Sequence, residues 1–147
     1  MRISFNGIRR LIKRERPDKR QAGAIIFSGE GATRRILLVT SKDKEKWIFP
    51  KGSVKKKETP EQAAEREAKE ESGVEGKVVA HVGATEFDDD GKWVRVDYFL
   101  VRCVEEKRMK EDRLKKWCAP EELVDKLDVP ELAELARRAL PELVRFK

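Results

Sequence analysis

The sequence predicts a layered α/β domain. Three observations carry this. Apolar strand-like runs alternate along the chain with segments of helical period, the pattern of strands covered by helices. The run RILLVTS, 35–41, is continuous in its apolar residues, so it reads as a strand covered on both faces. The stretch between Thr59 and Gly73 is a helix with both ends marked. At 147 residues the chain is long enough for one domain with a proper core.

In order, residues 3–12 show weak helical spacing at Ile3, Ile8, Leu11 and Ile12. Gln21–Ser28 reads as a buried strand, and Ser28-Gly29-Glu30-Gly31 as a turn. The strand at 35–41 follows, then a polar loop over Ser41–Lys46. Trp47–Pro50 is a short strand ended by proline, and Lys51-Gly52 opens a loop toward the central helix. Gly76–Phe87 is a long strand of mixed patterning, and Asp90-Gly91 marks a hairpin turn. Lys92–Glu105 returns with Val94, Val96, Tyr98 and Leu100 on one face, and Trp93 and Arg95 on the other. A charged loop, Glu105–Arg113, leads to a last strand, Leu114–Cys118. Pro120–Leu127 and Pro130–Leu140 are helices, the second with Leu132, Leu135, Ala136, Ala139 and Leu140 on one stripe.

Composition bounds the function. Charged residues are 42% of the chain, so a modest core carries a heavily charged surface. No apolar run approaches a membrane span, and the first residues lack a signal-peptide pattern. Cys103 and Cys118 form neither a metal-type pair nor a disulfide framework. The cytoplasm is the expected compartment. Residues 1–20 hold eight Lys/Arg against two acids, so this stretch alone carries the chain's net charge of +6. Residues 1–18 are therefore expected to be a basic arm on a single domain, 19–147. Such an arm steers polyanions and admits RNA as a partner.

The central helix concentrates acid. Thr59 with Gln62 forms a capping box, Pro60 takes the first helical position and Gly73 ends the helix. Glu67, Glu70 and Glu71 follow Arg66 at spacings that put them on neighbouring parts of one face. Glu67 and Glu71 lie beside Ala63 and Ala64, so they border the face that packs on the body of the protein. Like charges placed this way repel, and a hard cation turns them to use; magnesium, which prefers oxygen ligands and shares phosphates, is the natural choice.

Read from Gly52, the order is Gly, five residues, Glu58, seven residues, Arg66-Glu67, Ala68, one residue, Glu70-Glu71, one residue, Gly73, Val74. This resembles the Nudix box, with no departure at a charged or glycine position. The resemblance implies an α/β/α sandwich around a mixed sheet. It implies metal-dependent hydrolysis of phosphoanhydrides, with Mg2+ as cofactor and Mn2+ as substitute. Glu67, Glu70, Glu71 and the Gly52 carbonyl take the ligand positions. Arg66 orients the glutamates, Glu58 partners it, and Glu70 or Glu71 stands where a general base is found. Family members often add a carboxylate from outside the box; here Glu111 is the first candidate and Asp112 the second.

The flanks narrow the substrate. LLVTSKDKEKWIFPKG, with Arg20-Gln21-Ala22-Gly23 before it, is similar to the diadenosine polyphosphate and diphosphoinositol polyphosphate hydrolases. The likeness covers roughly residues 20–75. It implies phosphate contacts from Lys19, Arg20, Ser41, Lys42 and Lys51, and a small polyphosphate as substrate. Phe87, Trp93 and Tyr98 are candidates to face a base, although aromatics in strands more often pack in cores. Two alternatives stand beside this reading. One is a Nudix pyrophosphatase for an oxidised nucleoside triphosphate, a nucleotide sugar or an RNA 5′-end. The other is a non-catalytic module that binds a phosphate ligand. The sequence leaves the oligomeric state open.

Overall fold

The computed structural model describes residues 16–146. The helix expected over 3–12 and most of the basic arm lie outside them. The described residues form ten strands and helices, β1 (Lys19–Ser28), β2 (Arg35–Thr40), β3 (Trp47–Ile48), β4 (Lys51–Ser53), α1 (Pro60–Ser72), β5 (Val74–Asp89), β6 (Lys92–Glu106), β7 (Lys115–Cys118), α2 (Pro120–Lys126) and α3 (Pro130–Leu143), with a 3₁₀ turn at Gly31–Thr33 between β1 and β2. The sheet runs β3-β2-β1-β6-β5, with β4 added on β1 and β7 on β2. Among the described residues only β1 and β6 pair in parallel, so the sheet is mixed as expected.

Alternation along β1 builds two cores. Ala22, Ala24 and Ile26 point to one face with Leu37, and α1 covers it through Ala63, Ala64 and Ala68. Ile25 and Phe27 point to the other face with Ile36 and Leu38, where α2 and α3 bring Leu123, Leu132, Leu135 and Ala139. Helices on both faces make the α/β/α sandwich, and the apolar run of β2 is buried on both sides.

Several local expectations shift. Lys51–Ser53 is a strand and not the start of a loop, because its backbone pairs antiparallel with Gln21–Gly23 of β1. The strand before it shortens to Trp47–Ile48. Trp93 is buried instead of facing out with Arg95, and its N–H donates to the Asp18 carboxylate at 2.7 Å. Asp18, just before β1, thus pairs with β6 through both its backbone and its side chain. The mixed pattern of β5 has a cause in three register shifts, at Glu75/Gly76, Val78/Ala80 and His81/Gly83. The last helix continues through Pro141 to Leu143. A proline one turn from the end removes one hydrogen bond of the terminal turn and leaves the rest intact.

Candidate functional site

Helix α1 is held at both ends by its own sequence. The Thr59 hydroxyl accepts from the Gln62 backbone N–H at 3.1 Å, and the Gln62 side-chain Oε1 accepts from the Thr59 backbone N–H at 2.9 Å. Gly73 stops the helix in the left-handed region at φ 80°, its N–H donating to the Lys69 carbonyl. The three alanines let the helix lie close on the sheet. That closeness carries Glu67 and Glu71, 8% and 4% exposed, into the protein beside β4.

Gly52 shows how tight the approach is. A Cβ at this position would sit 2.2 Å from Oε1 of Glu67 and 2.3 Å from its carboxyl carbon. No side chain fits there. The Lys51 N–H faces Oε1 of Glu71 at 3.4 Å, so the backbone of β4 forms one wall against the carboxylates.

Arg66 organises the box. Its Nε and Nη2 donate to both oxygens of Glu58 at 2.8 and 2.9 Å, a bidentate pair. Nη2 also donates to the Ser53 carbonyl at 2.8 Å, while Nη1 reaches Glu67 at 2.6 Å and Glu70 at 3.3 Å. One guanidinium therefore fixes the loop before the helix, the end of β4 and two of the three helix carboxylates. The hydrogen bonds from Arg66 hold the Glu58 carboxyl down at about 2. Glu71 behaves oppositely. Burial pushes its carboxyl up to about 8, Glu67 beside it adds to the rise, and Arg113 opposes it.

A cavity of about 480 Å³ brings the expected residues together. Glu67, Glu70, Glu71 and Glu111 line it with Gly52, and Ser41, Lys42 and Lys51 line it too. Arg113 and Gln21, which the sequence did not single out as site residues, line it as well, with Ile48 and Ser53. A larger cavity of about 740 Å³ lies elsewhere, between Arg34 and the end of α3, and holds none of these groups. Charge, not volume, locates the site.

Arg113 is the main residue that sequence reasoning missed. It is 8% exposed. Its Nη1 donates to the Thr40 carbonyl at 2.9 Å and lies 3.7 Å from Glu71, while Nε donates to Glu111 at 2.8 Å. It thus carries Glu111 from the charged loop to the helix carboxylates. Asp112 turns away, is 94% exposed and pairs with Lys44 at 3.1 Å. Lys51 is pushed down by burial against the pull of Glu71, and its Nζ donates to Gln21 at 3.0 Å. The Ser41 hydroxyl donates to Asp43 at 2.6 Å and accepts from the Lys46 N–H, so it also shapes the loop. Lys19 and Arg20 do not line the cavity; Lys19 lies 3.6 Å from Asp89. His81 bonds Asp97 at 2.9 Å, away from the site.

Every donor offered by the box is a hard oxygen, the set that suits magnesium or manganese. Among the described residues, no three His, Cys, Asp or Glu side chains converge on one point as they stand. Arg66 draws Glu67 and Glu70 toward itself, while Arg113 faces Glu71.

The NUDIX domain matches residues 17–142. The chain belongs to the NUDIX domain family. Diphosphoinositol polyphosphate phosphohydrolase 3-alpha of Mus musculus is 35% identical over 74 residues, which are 50% of this chain and 45% of that protein. Diphosphoinositol polyphosphate phosphohydrolase 2 of Rattus norvegicus is 37% identical over 71 residues, 48% of this chain and 40% of that one. The matched segment thus spans about half the length of these curated relatives, or less. Among solved structures, a C. elegans Ap4A hydrolase binary complex superposes with a TM-score of 0.74 at 27% identity, covering 87% of this chain and 99% of that one. As a NUDIX domain, the chain has the glutamate helix and its sandwich where the box resemblance implies them. No helix among the described residues is long and apolar enough to cross a membrane.

Proposed function

We propose that this chain is a divalent-metal-dependent hydrolase of phosphoanhydride bonds in small polyphosphates. One observation carries the reading. Four carboxylates, Glu67, Glu70, Glu71 and Glu111, share one cavity with Lys42, Lys51 and Arg113. Acids gathered beside cations suit a phosphate bridged to the protein through a hard cation.

Glu67, Glu70, Glu71 and the Gly52 carbonyl would hold Mg2+, or Mn2+ in its place. The ion supplies Lewis-acid activation and neutralises phosphate charge. The protein does the rest by positioning and electrostatics, which dominate phosphoryl transfer. Lys42 and Lys51 bind the phosphate oxygens, and Ser41 keeps the loop that carries Lys42 in shape. Arg66 holds Glu67 and Glu70 in register with β4. Arg113 keeps Glu111 facing the cavity, where its carboxylate takes the proton of the attacking water. The water oxygen bonds to one phosphorus, the bridging P–O bond breaks, and the departing phosphate carries the electron pair away. Glu70 or Glu71 is the alternative base. Arg20, Lys19 and the arm over 1–18 act at longer range, as cations that steer the substrate.

The names of the relatives favour two substrate classes, diadenosine polyphosphates and inositol pyrophosphates. The test is phosphate release with magnesium from both classes, 8-oxo-dGTP and ADP-ribose, with Glu71→Gln as blank. Metal-dependent turnover lost in the variant supports the reading. Wild-type turnover retained in both Glu70→Gln and Glu71→Gln would sink it.

A further inference from the structure

The cavity of about 740 Å³ lies far from the glutamate helix. Arg34, which lines it, precedes β2, and Ser41, which lines the carboxylate cavity, follows β2. A strand of that length spans roughly 20 Å. Leu140, Leu143, Val144 and Phe146 give the cavity an apolar wall. Arg34 stands against that wall and is only 7% exposed. Its Nη2 donates to the carbonyls of Leu143, at 3.2 Å, and of Phe146, and so satisfies the end of α3. Its Nη1 is buried and has no partner. A guanidinium keeps its charge in a protein, and both groups that Nη2 bonds are neutral. A second arginine adds to the imbalance. The guanidinium carbons of Arg34 and Arg102 lie 4.9 and 5.9 Å from the centre of the Phe27 ring, and Nε of Arg102 is also buried without a partner. Burial pulls the Arg34 guanidinium below its ordinary value; Glu30 opposes the pull and Arg102 adds to it.

We infer that this cavity is a second binding site, which takes a monocarboxylate on a large apolar body, such as a medium-chain aliphatic acid. The inference is independent of the hydrolase reading. Three features choose the ligand class. A buried cation with a free N–H is costly until an anion meets it, and a carboxylate oxygen on Nη1 makes a charge-assisted bond where none exists. The volume lies within the range of small-molecule sites, about 300–1,000 Å³, and the apolar wall covers the rest of such a ligand. Charge limits the ligand to one anionic group. Glu30 and Glu121 are exposed at the rim, and Glu30 is shared with an adjoining cavity that Arg102 lines. Two cations and two carboxylates therefore balance. A ligand with two or more negative charges would be repelled by the rim acids, while a monoanion reaches Arg34 with least opposition. The head group enters first, and the tail lies along the end of α3 toward Val144, an apolar residue that is 84% exposed.

The experiment titrates octanoate, 1-octanol and inorganic phosphate into the protein by calorimetry. Octanoate should bind at least about tenfold more tightly than octanol, the size of one charge-assisted hydrogen bond, and phosphate should bind more weakly than octanoate. Arg34→Met should bring octanoate level with octanol and leave octanol unchanged. Arg34 also holds the end of α3, so a variant at the surface makes the same test without touching the core. Val144→Glu should weaken octanoate by about threefold or more, through a like charge at the mouth, with less effect on octanol. Glu71→Gln should bind octanoate as wild type does, because the two cavities are separate. The inference is overturned if octanoate does not bind, binds no better than octanol, or binds no better than phosphate. It is also overturned if Val144→Glu leaves octanoate binding unchanged, or if Glu71→Gln abolishes it, which would put the ligand in the carboxylate cavity.

Discussion

The two faces of the sheet are built on opposite rules. On one, α1 rests on small side chains, Ala63, Ala64 and Ala68 against Ala22 and Ala24. On the other, α2 and α3 bury Leu123, Leu132, Leu135 and Leu143 against Ile25, Phe27, Tyr98 and Leu100. The large-residue face gives more apolar burial and therefore more stability. The small-residue face gives proximity: it lets a helix lie close enough for Glu67 to rest on the backbone of Gly52. One face maintains the fold so that the other can gather like charges at a cost.

The sharpest way to break this division is to change one carboxylate. Glu71→Gln keeps the volume and replaces a carboxyl that burial already pushes toward its neutral form, so the fold should persist. Activity should fall by orders of magnitude, about 10³-fold, a size typical of losing a group that stabilises transition-state charge. Circular dichroism with magnesium-dependent turnover checks both halves. Loss of the fold with loss of activity would mean that α1 is as structural as the opposite face.

The mirror experiment is Leu135→Ala on the other face. Leu135 is fully buried, and the cavity left behind should cost about 2–5 kcal/mol. Denaturant titration should show the loss, while kcat per folded molecule stays near wild type. A large drop in kcat at temperatures where the variant is folded would show that the two faces are mechanically coupled.

Gly52→Ala sharpens the proximity half. Its Cβ would meet the Glu67 carboxylate and must displace either β4 or the side chain. We expect about a tenfold or greater loss of kcat, since small misplacements of reacting groups are costly, with a Tm shift of only a few degrees. Activity close to wild type would show that Glu67 has room to retreat without consequence.

The same contrast explains what was legible in the sequence. The α1 face was readable because its information is local: a capping box, a stop glycine and glutamates at helical spacing lie within one short stretch. The opposite core was readable from apolar period alone. What was not readable depends on distant partners. Arg113 looks like any charge in the loop 105–113, yet its partners are the Thr40 carbonyl, Glu71 and Glu111. β4 has three residues and no pattern; only its pairing with Gln21–Gly23 makes it a strand. Trp93 broke the alternation because Asp18, from the edge of the basic arm, pairs with its backbone. A basic residue flanked by loop acids was a weak sign for Arg113, and the surrounding charge hid it.

The smallest effect concerns the rim of the box. Glu58 is held ionised by Arg66, and its carboxyl lies at about 2 instead of the ordinary 4.5. A depressed carboxyl gives its stability above the unfolded value and loses it as pH falls through the folded one. The contribution should therefore be complete above about pH 5 and gone near pH 2. Glu58→Gln removes the charge, so its deficit relative to wild type should follow that window. The pair is part-buried at the rim of the box and partly solvated, so the deficit should be about 1 kcal/mol at neutral pH. Denaturant midpoints at pH 7, 4 and 2.5 should converge as the pH falls. A deficit that stayed constant would mean that Glu58 acts by shape, through the Lys55 N–H that it also accepts, and that Arg66 orders the box without needing its charge.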